Sequence, residues 1–98
     1  MRESTVEKRL VDKVRHQGGR CEKWGVNGWP DRIVIWPGNR IHFVELKRPG
    51  GAPRPLQKKR ADDLRALGCR VYVLDSPEAV DKYIRDRVDI LLNFVRMQ

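Results

Sequence analysis

A chain of 98 residues, 40% hydrophobic and 35% charged, has room for one domain with a single modest core. That balance argues against disorder, no run reaches the roughly 18 apolar residues of a membrane span, and the opening MRESTVEKRL lacks the apolar segment of an export signal. Lys and Arg outnumber Asp and Glu by 21 to 13, and the resulting charge of +8 points to a polyanionic partner, most often nucleic acid.

Val6, Leu10 and Val14 recur at four-residue spacing, which predicts a helix from near Ser4 to the Gly18-Gly19 stop. GRCEKWG, from Gly19 to Gly25, reads as a short strand, and VNGWP as a loop. DRIVIW and RIHFVELK flank the turn residues PGN, the pattern of a β-hairpin. The basic loop RPGGAPRP leads into a helix from Pro55 to Leu67, with Leu56, Leu64 and Leu67 on its apolar side and Gly68 as its stop. CRVYVLD is apolar enough for an internal strand. Ser76-Pro77-Glu78 caps a last helix carrying Val80, Ile84 and Val88, and the apolar stretch 88–98 is expected to pack on the core or to form a dimer interface.

The expected fold is therefore a single α/β domain over 1–98, ordered helix–three strands–helix–strand–helix, with helices flanking a mixed sheet. The segment from Ile41 to Asp75 has the length of a right-handed crossover between parallel strands. Cys21 and Cys69 form no CxxC pair and are expected to be reduced thiols of a cytoplasmic protein.

Within that frame, three charged residues stand out. Asp31 opens the first hairpin strand, while Glu45 and Lys47 share one face of the second with Ile41 and Phe43. Charges among apolar strand residues cost free energy unless they are paired or bind a metal. Whether Asp31 joins them depends on register: a four-residue loop turns Glu45 away from Asp31, and a three- or five-residue loop puts both on one face. Gly38 and Asn39 suit the left-handed residue of a three-residue loop, so the convergent register is predicted, or a bend near Pro30 of the same effect. Two convergent carboxylates make an oxygen-rich site for Mg²⁺ or Mn²⁺, and an adjacent lysine can stabilise developing negative charge. With DNA as the anionic partner, these parts add up to metal-assisted phosphodiester hydrolysis.

Around them, Arg48, Arg54, Lys58, Lys59 and Arg60 put positive charge at a helix start, against the macrodipole, which favours phosphate contact. Trp29 is placed either to stack on DNA or to pack the loop, and Trp24 and Trp36 read as core or interface. His16 and His42 read as surface residues.

PD at Pro30-Asp31 followed by ELK at Glu45-Leu46-Lys47 resembles the signature of the PD-(D/E)XK nuclease superfamily. More narrowly, GWPDR…FVELKRPG…PLQ…LRALGCRVYVLDS is similar to the VRR-NUC (virus-type replication–repair nuclease) domain, over Glu3 to Ser76. The resemblance implies that Asp31, Glu45 and the Leu46 carbonyl hold the metal and that Lys47 is the catalytic lysine. It further implies that Gln57 orders the site and that an acid of the first helix completes it: Glu7, with Glu3 one turn earlier as the substitute. Glu7 also fits a capping box with Ser4, and Gln57 a solvated first turn. Stand-alone domains of this phage or bacterial type resemble homodimeric, Holliday-junction-resolvase-like nucleases of branched DNA.

Overall fold

The computed structural model describes residues 2–96, with side chains described as far as Arg87. Its elements are α1 (Glu3–His16), β1 (Arg20–Lys23), β2 (Arg32–Trp36), β3 (Arg40–Leu46), α2 (Pro55–Ala66), β4 (Arg70–Leu74) and α3 (Pro77–Arg96). The four strands form one sheet in chain order, antiparallel from β1 to β3 and parallel between β3 and β4. This is the mixed α/β arrangement expected.

Alternation along the strands divides the molecule into two layers. Val34, Trp36, Val44, Leu46 and Leu74 turn to one face, where they meet Val6, Leu10 and Val14 of α1 and Val80, Tyr83 and Ile84 of α3. Asp81 ties the two helices through a two-pronged contact with Arg9, at 2.9 and 2.8 Å. On the other face Ala61 and Leu64 of α2 cover Val71, with Phe43, Trp29 and Cys69 packed around them. Gly19 lets the chain turn tightly out of α1: a Cβ there would lie 2.6 Å from the Trp36 ring and 2.9 Å from Val14. Both cysteines are free thiols.

The hairpin has the three-residue loop predicted. Trp36 pairs with Arg40, and Gly38 and Asn39 take φ values of 86° and 61°, the left-handed conformation the turn demands. That register pairs Arg32 with Val44, so the next pair outward sets Asp31 against Glu45.

Two expectations need correction. The α2 helix faces the sheet through Gln57, Ala61 and Leu64, whereas Leu56 is 43% exposed and Leu67 82% exposed. The inward stripe runs at i, i+4 and i+7, and its first member is polar because it reaches the candidate site. His42 is buried rather than on the surface, with Nδ1 2.7 Å from the Tyr83 hydroxyl. The Ser76 cap is present, its Oγ accepting the Ala79 N–H at 3.0 Å. The interface expected of 88–98 concerns side chains outside the described residues. Among those described, no helix is long and apolar enough to cross a membrane.

Candidate metal centre

The two acids meet at the ends of β2 and β3. Trp24 N–H donates to the Asp31 carbonyl at 3.0 Å, which continues the β1–β2 pairing and fixes the backbone of Asp31. Its side chain reaches across to β3, where Oδ2 accepts the Leu46 N–H at 2.7 Å. Beside it Glu45 is 1% exposed. Among the described residues neither Glu45 carboxylate oxygen has a hydrogen-bond partner, although both are buried. Burial, and then the negative charge of Asp31, push the Glu45 carboxyl up to about 7, against the pull of Lys47 and Arg54.

Lys47 faces that acid only at long range. Its Nζ stands 3.9 Å from Glu45 Oε2, too far for a hydrogen bond, and donates instead to Gln57 Oε1 at 2.7 Å. The same Gln57 oxygen accepts the backbone N–H of Arg54 at 3.0 Å, which caps the start of α2. Gln57, buried, thus serves both as helix cap and as orienter of the lysine.

This donor set fits a hard divalent cation. A buried carboxylate with two unbonded oxygens, beside a second carboxylate, is costly alone and suited to an ion that takes oxygen ligands and keeps several waters. Among the described residues no group of three or more His, Cys, Asp or Glu converges, so Asp31 and Glu45 are the carboxylates that could hold such an ion, with carbonyl, water or substrate oxygen completing its shell.

Of the α1 acids, Glu7 is engaged elsewhere. Its Oε2 accepts from Arg32 Nε at 2.9 Å, and Arg32 also donates to the Cys21 carbonyl at 3.2 Å, tying α1 to β1 and β2. No capping bond comes from the Ser4 region, since the helix N-cap is Arg2. Glu3 is the α1 acid whose charge bears on Glu45.

The basic and aromatic residues flank the acids. A cleft of 260 Å³ is lined by Lys23, Asn27, Trp29, Asp31, Arg54 and Gln57, among others. Trp29 packs the loop, its ring 5.3 Å from that of Trp24, with the Arg60 guanidinium 5.0 Å above it. Arg48, Arg54, Lys58 and Lys59 are exposed, and Lys59 forms an exposed pair with Asp63 at 3.3 Å. The sequence offered no signal for Lys23 or Asn27, which the loop and β1 bring into the cleft.

No family model matches the sequence. A phage protein named "Putative nuclease p44", from Acyrthosiphon pisum secondary endosymbiont phage 1, is 46% identical over 81 residues, 80% of this chain and 87% of the relative. A solved structure described as a VRR_NUC domain superposes with a TM-score of 0.80 at 34% identity, covering 85% of this chain and 94% of that one. The fold, the convergent acids and both relatives agree, and the chain belongs to the VRR-NUC nuclease domain family.

Proposed function

We propose that the protein is a divalent-metal-dependent DNA endonuclease that cuts branched DNA as a homodimer. The observation that carries this reading is the Glu45 carboxylate, buried and without a hydrogen bond among the described residues, beside Asp31. Asp31, Glu45 and the Leu46 carbonyl are the ligands we assign, and Glu3 supplies the acid of α1, since Glu7 is held by Arg32. A bound Mg²⁺ or Mn²⁺ would supply Lewis-acid polarisation of the scissile phosphodiester.

The chain's own residues do the rest. Lys47, held by Gln57, presents an ammonium beside the acids, where it orients the attacking water and offsets charge gathering on the phosphate. Arg48, Arg54, Lys58, Lys59 and Arg60 bind the flanking phosphates and place the scissile bond. Trp29 supports that basic surface from beneath Arg60. Two such sites related by a two-fold axis suit paired nicks in a symmetric junction.

The test incubates the full chain with four-way junction, duplex and single-stranded DNA, in Mg²⁺, Mn²⁺ or EDTA. Metal-dependent cleavage, lost in Asp31→Asn and Glu45→Gln with DNA binding intact, supports the proposal. Binding without cleavage in every condition would replace it with a nucleic-acid-binding module. Symmetric paired nicks in the junction, from a protein that sediments as a dimer, support the resolvase form, and scattered nicks reduce it to a general nuclease.

A further inference from the structure

Arg87 of α3 is a buried cation with no ion-pair partner among the described residues. It is 5% exposed, and its Nε is buried without a hydrogen-bond partner. Among the described residues its guanidinium makes neither a hydrogen bond nor an ion pair; what it has is the Trp36 ring, 3.5 Å from the guanidinium carbon to the ring centroid. A cation–π contact offsets only part of the cost of removing a charge from water.

The polar groups around that ring provide no negative charge. Trp36 Nε1 donates to the Tyr83 hydroxyl at 2.9 Å, and the same hydroxyl shares a 2.7 Å hydrogen bond with His42 Nδ1. Burial holds the Tyr83 hydroxyl far above the range in which it ionises in water. Burial, and then Arg70, Arg40 and Arg87, lower His42 to about 4, so it is neutral at physiological pH. None of these three groups supplies a counter-charge to Arg87.

There is space for it. Arg87, Lys82, Tyr72, Tyr83 and Asp86, together with residues of β4, line a pocket of 280 Å³ between β4 and α3. Asp86 makes no ion pair with Arg87 among the described residues. We propose that this pocket binds a phosphate-type oxyanion, gripped by the Arg87 guanidinium and the Lys82 ammonium, with the Tyr72 hydroxyl as a further donor. A planar fork and a point charge on one side of an open pocket match a tetrahedral oxyanion. The site belongs to the α1–α3 face, opposite the α2 face that carries Glu45, so it stands whether or not the chain cleaves DNA. The phosphate can be part of a DNA backbone or a free phosphate group.

The experiment follows the Arg Nε–H and Trp Nε1–H resonances of the ¹⁵N-labelled full chain, in EDTA, while sodium phosphate is added against sodium chloride of equal ionic strength. A saturable, phosphate-specific shift of the Arg87 and Trp36 signals is expected, with affinity about tenfold weaker in Lys82→Ala and the Trp36 response absent in Arg87→Gln. Should Arg87→Gln fail to fold, Lys82→Ala carries the same test from an exposed position. A short duplex that moves the same two signals identifies the backbone as the source, and a response to inorganic phosphate alone identifies a free phosphate. Signals that ignore both, or that move only with protein concentration as a partner's carboxylate would make them, overturn the proposal. Asp31→Asn leaves the response unchanged, which separates its failure from failure of the nuclease reading.

Discussion

Replacing Glu45 with glutamine separates the cost of the buried charge from its use. The carboxyl sits at about 7 in the folded chain against an ordinary value of 4.5, because burial and Asp31 disfavour the ionised form. The folded state therefore holds the proton more tightly than the unfolded state. The penalty is absent below about pH 4.5, grows as the pH rises, and is complete above about pH 7. At about 1.4 kcal/mol for each pH unit between the two values, it reaches roughly 3 kcal/mol. Glu45→Gln keeps the shape and removes the ionisation. In EDTA the variant should gain about 2–3 kcal/mol relative to the parent between pH 4.5 and pH 8, or on the order of 10 °C in melting temperature. Saturating Mg²⁺ should close most of that gap at pH 8, since a ligand at a hundred times its Kd stabilises by about 2.7 kcal/mol and the variant would lack one of the proposed ligands. Urea unfolding followed by tryptophan fluorescence, with and without Mg²⁺ at the two pH values, reads both effects. Parallel pH profiles for the two proteins, or equal stabilisation by Mg²⁺, would refute the argument that this acid is buried for an ion.

Gln57→Ala removes a helix cap and releases Lys47, so it should cost about 1 kcal/mol of stability while lowering cleavage at least tenfold with DNA affinity nearly unchanged; binding and rate measured together check this. Glu7→Gln breaks the tie to Arg32 and should lose about 1 kcal/mol by urea unfolding with cleavage retained, whereas Glu3→Gln should retain stability and lower cleavage. Gly19→Ala drives a methyl into the Trp36 ring and should destabilise by about 1–3 kcal/mol, seen as a lower urea midpoint. Lys58→Ala should weaken DNA binding uniformly across sequences and reduce the salt slope of log K by about 1, measured by titration at several salt concentrations.

The features legible in the sequence are those set by local chemistry. The Pro37-Gly38-Asn39 turn requires left-handed residues, which fixes a three-residue loop, and the loop fixes the side of the sheet on which Asp31 and Glu45 meet. Val6, Leu10 and Val14 declare the buried stripe of α1 by spacing alone. What stayed hidden depends on partners distant in the chain. The Tyr83 hydroxyl that makes His42 a core residue lies 41 positions away, and Arg32, which binds the Glu7 carboxylate, lies 25 away. The buried face of α2 departs from its apolar pattern because its innermost first-turn residue is a glutamine, and apolar periodicity does not register a polar side chain turned inward.

Gln57 has one further consequence. A single carbonyl oxygen receives both the ammonium of Lys47 and the backbone N–H of Arg54, so the loop that ends at Arg54 and the lysine beside Glu45 share a common anchor. On the proposed reading, strain imposed on that loop by a poorly seated duplex would reach the ammonium through the same oxygen. Seating of the duplex and placement of the lysine would then be coupled through one amide.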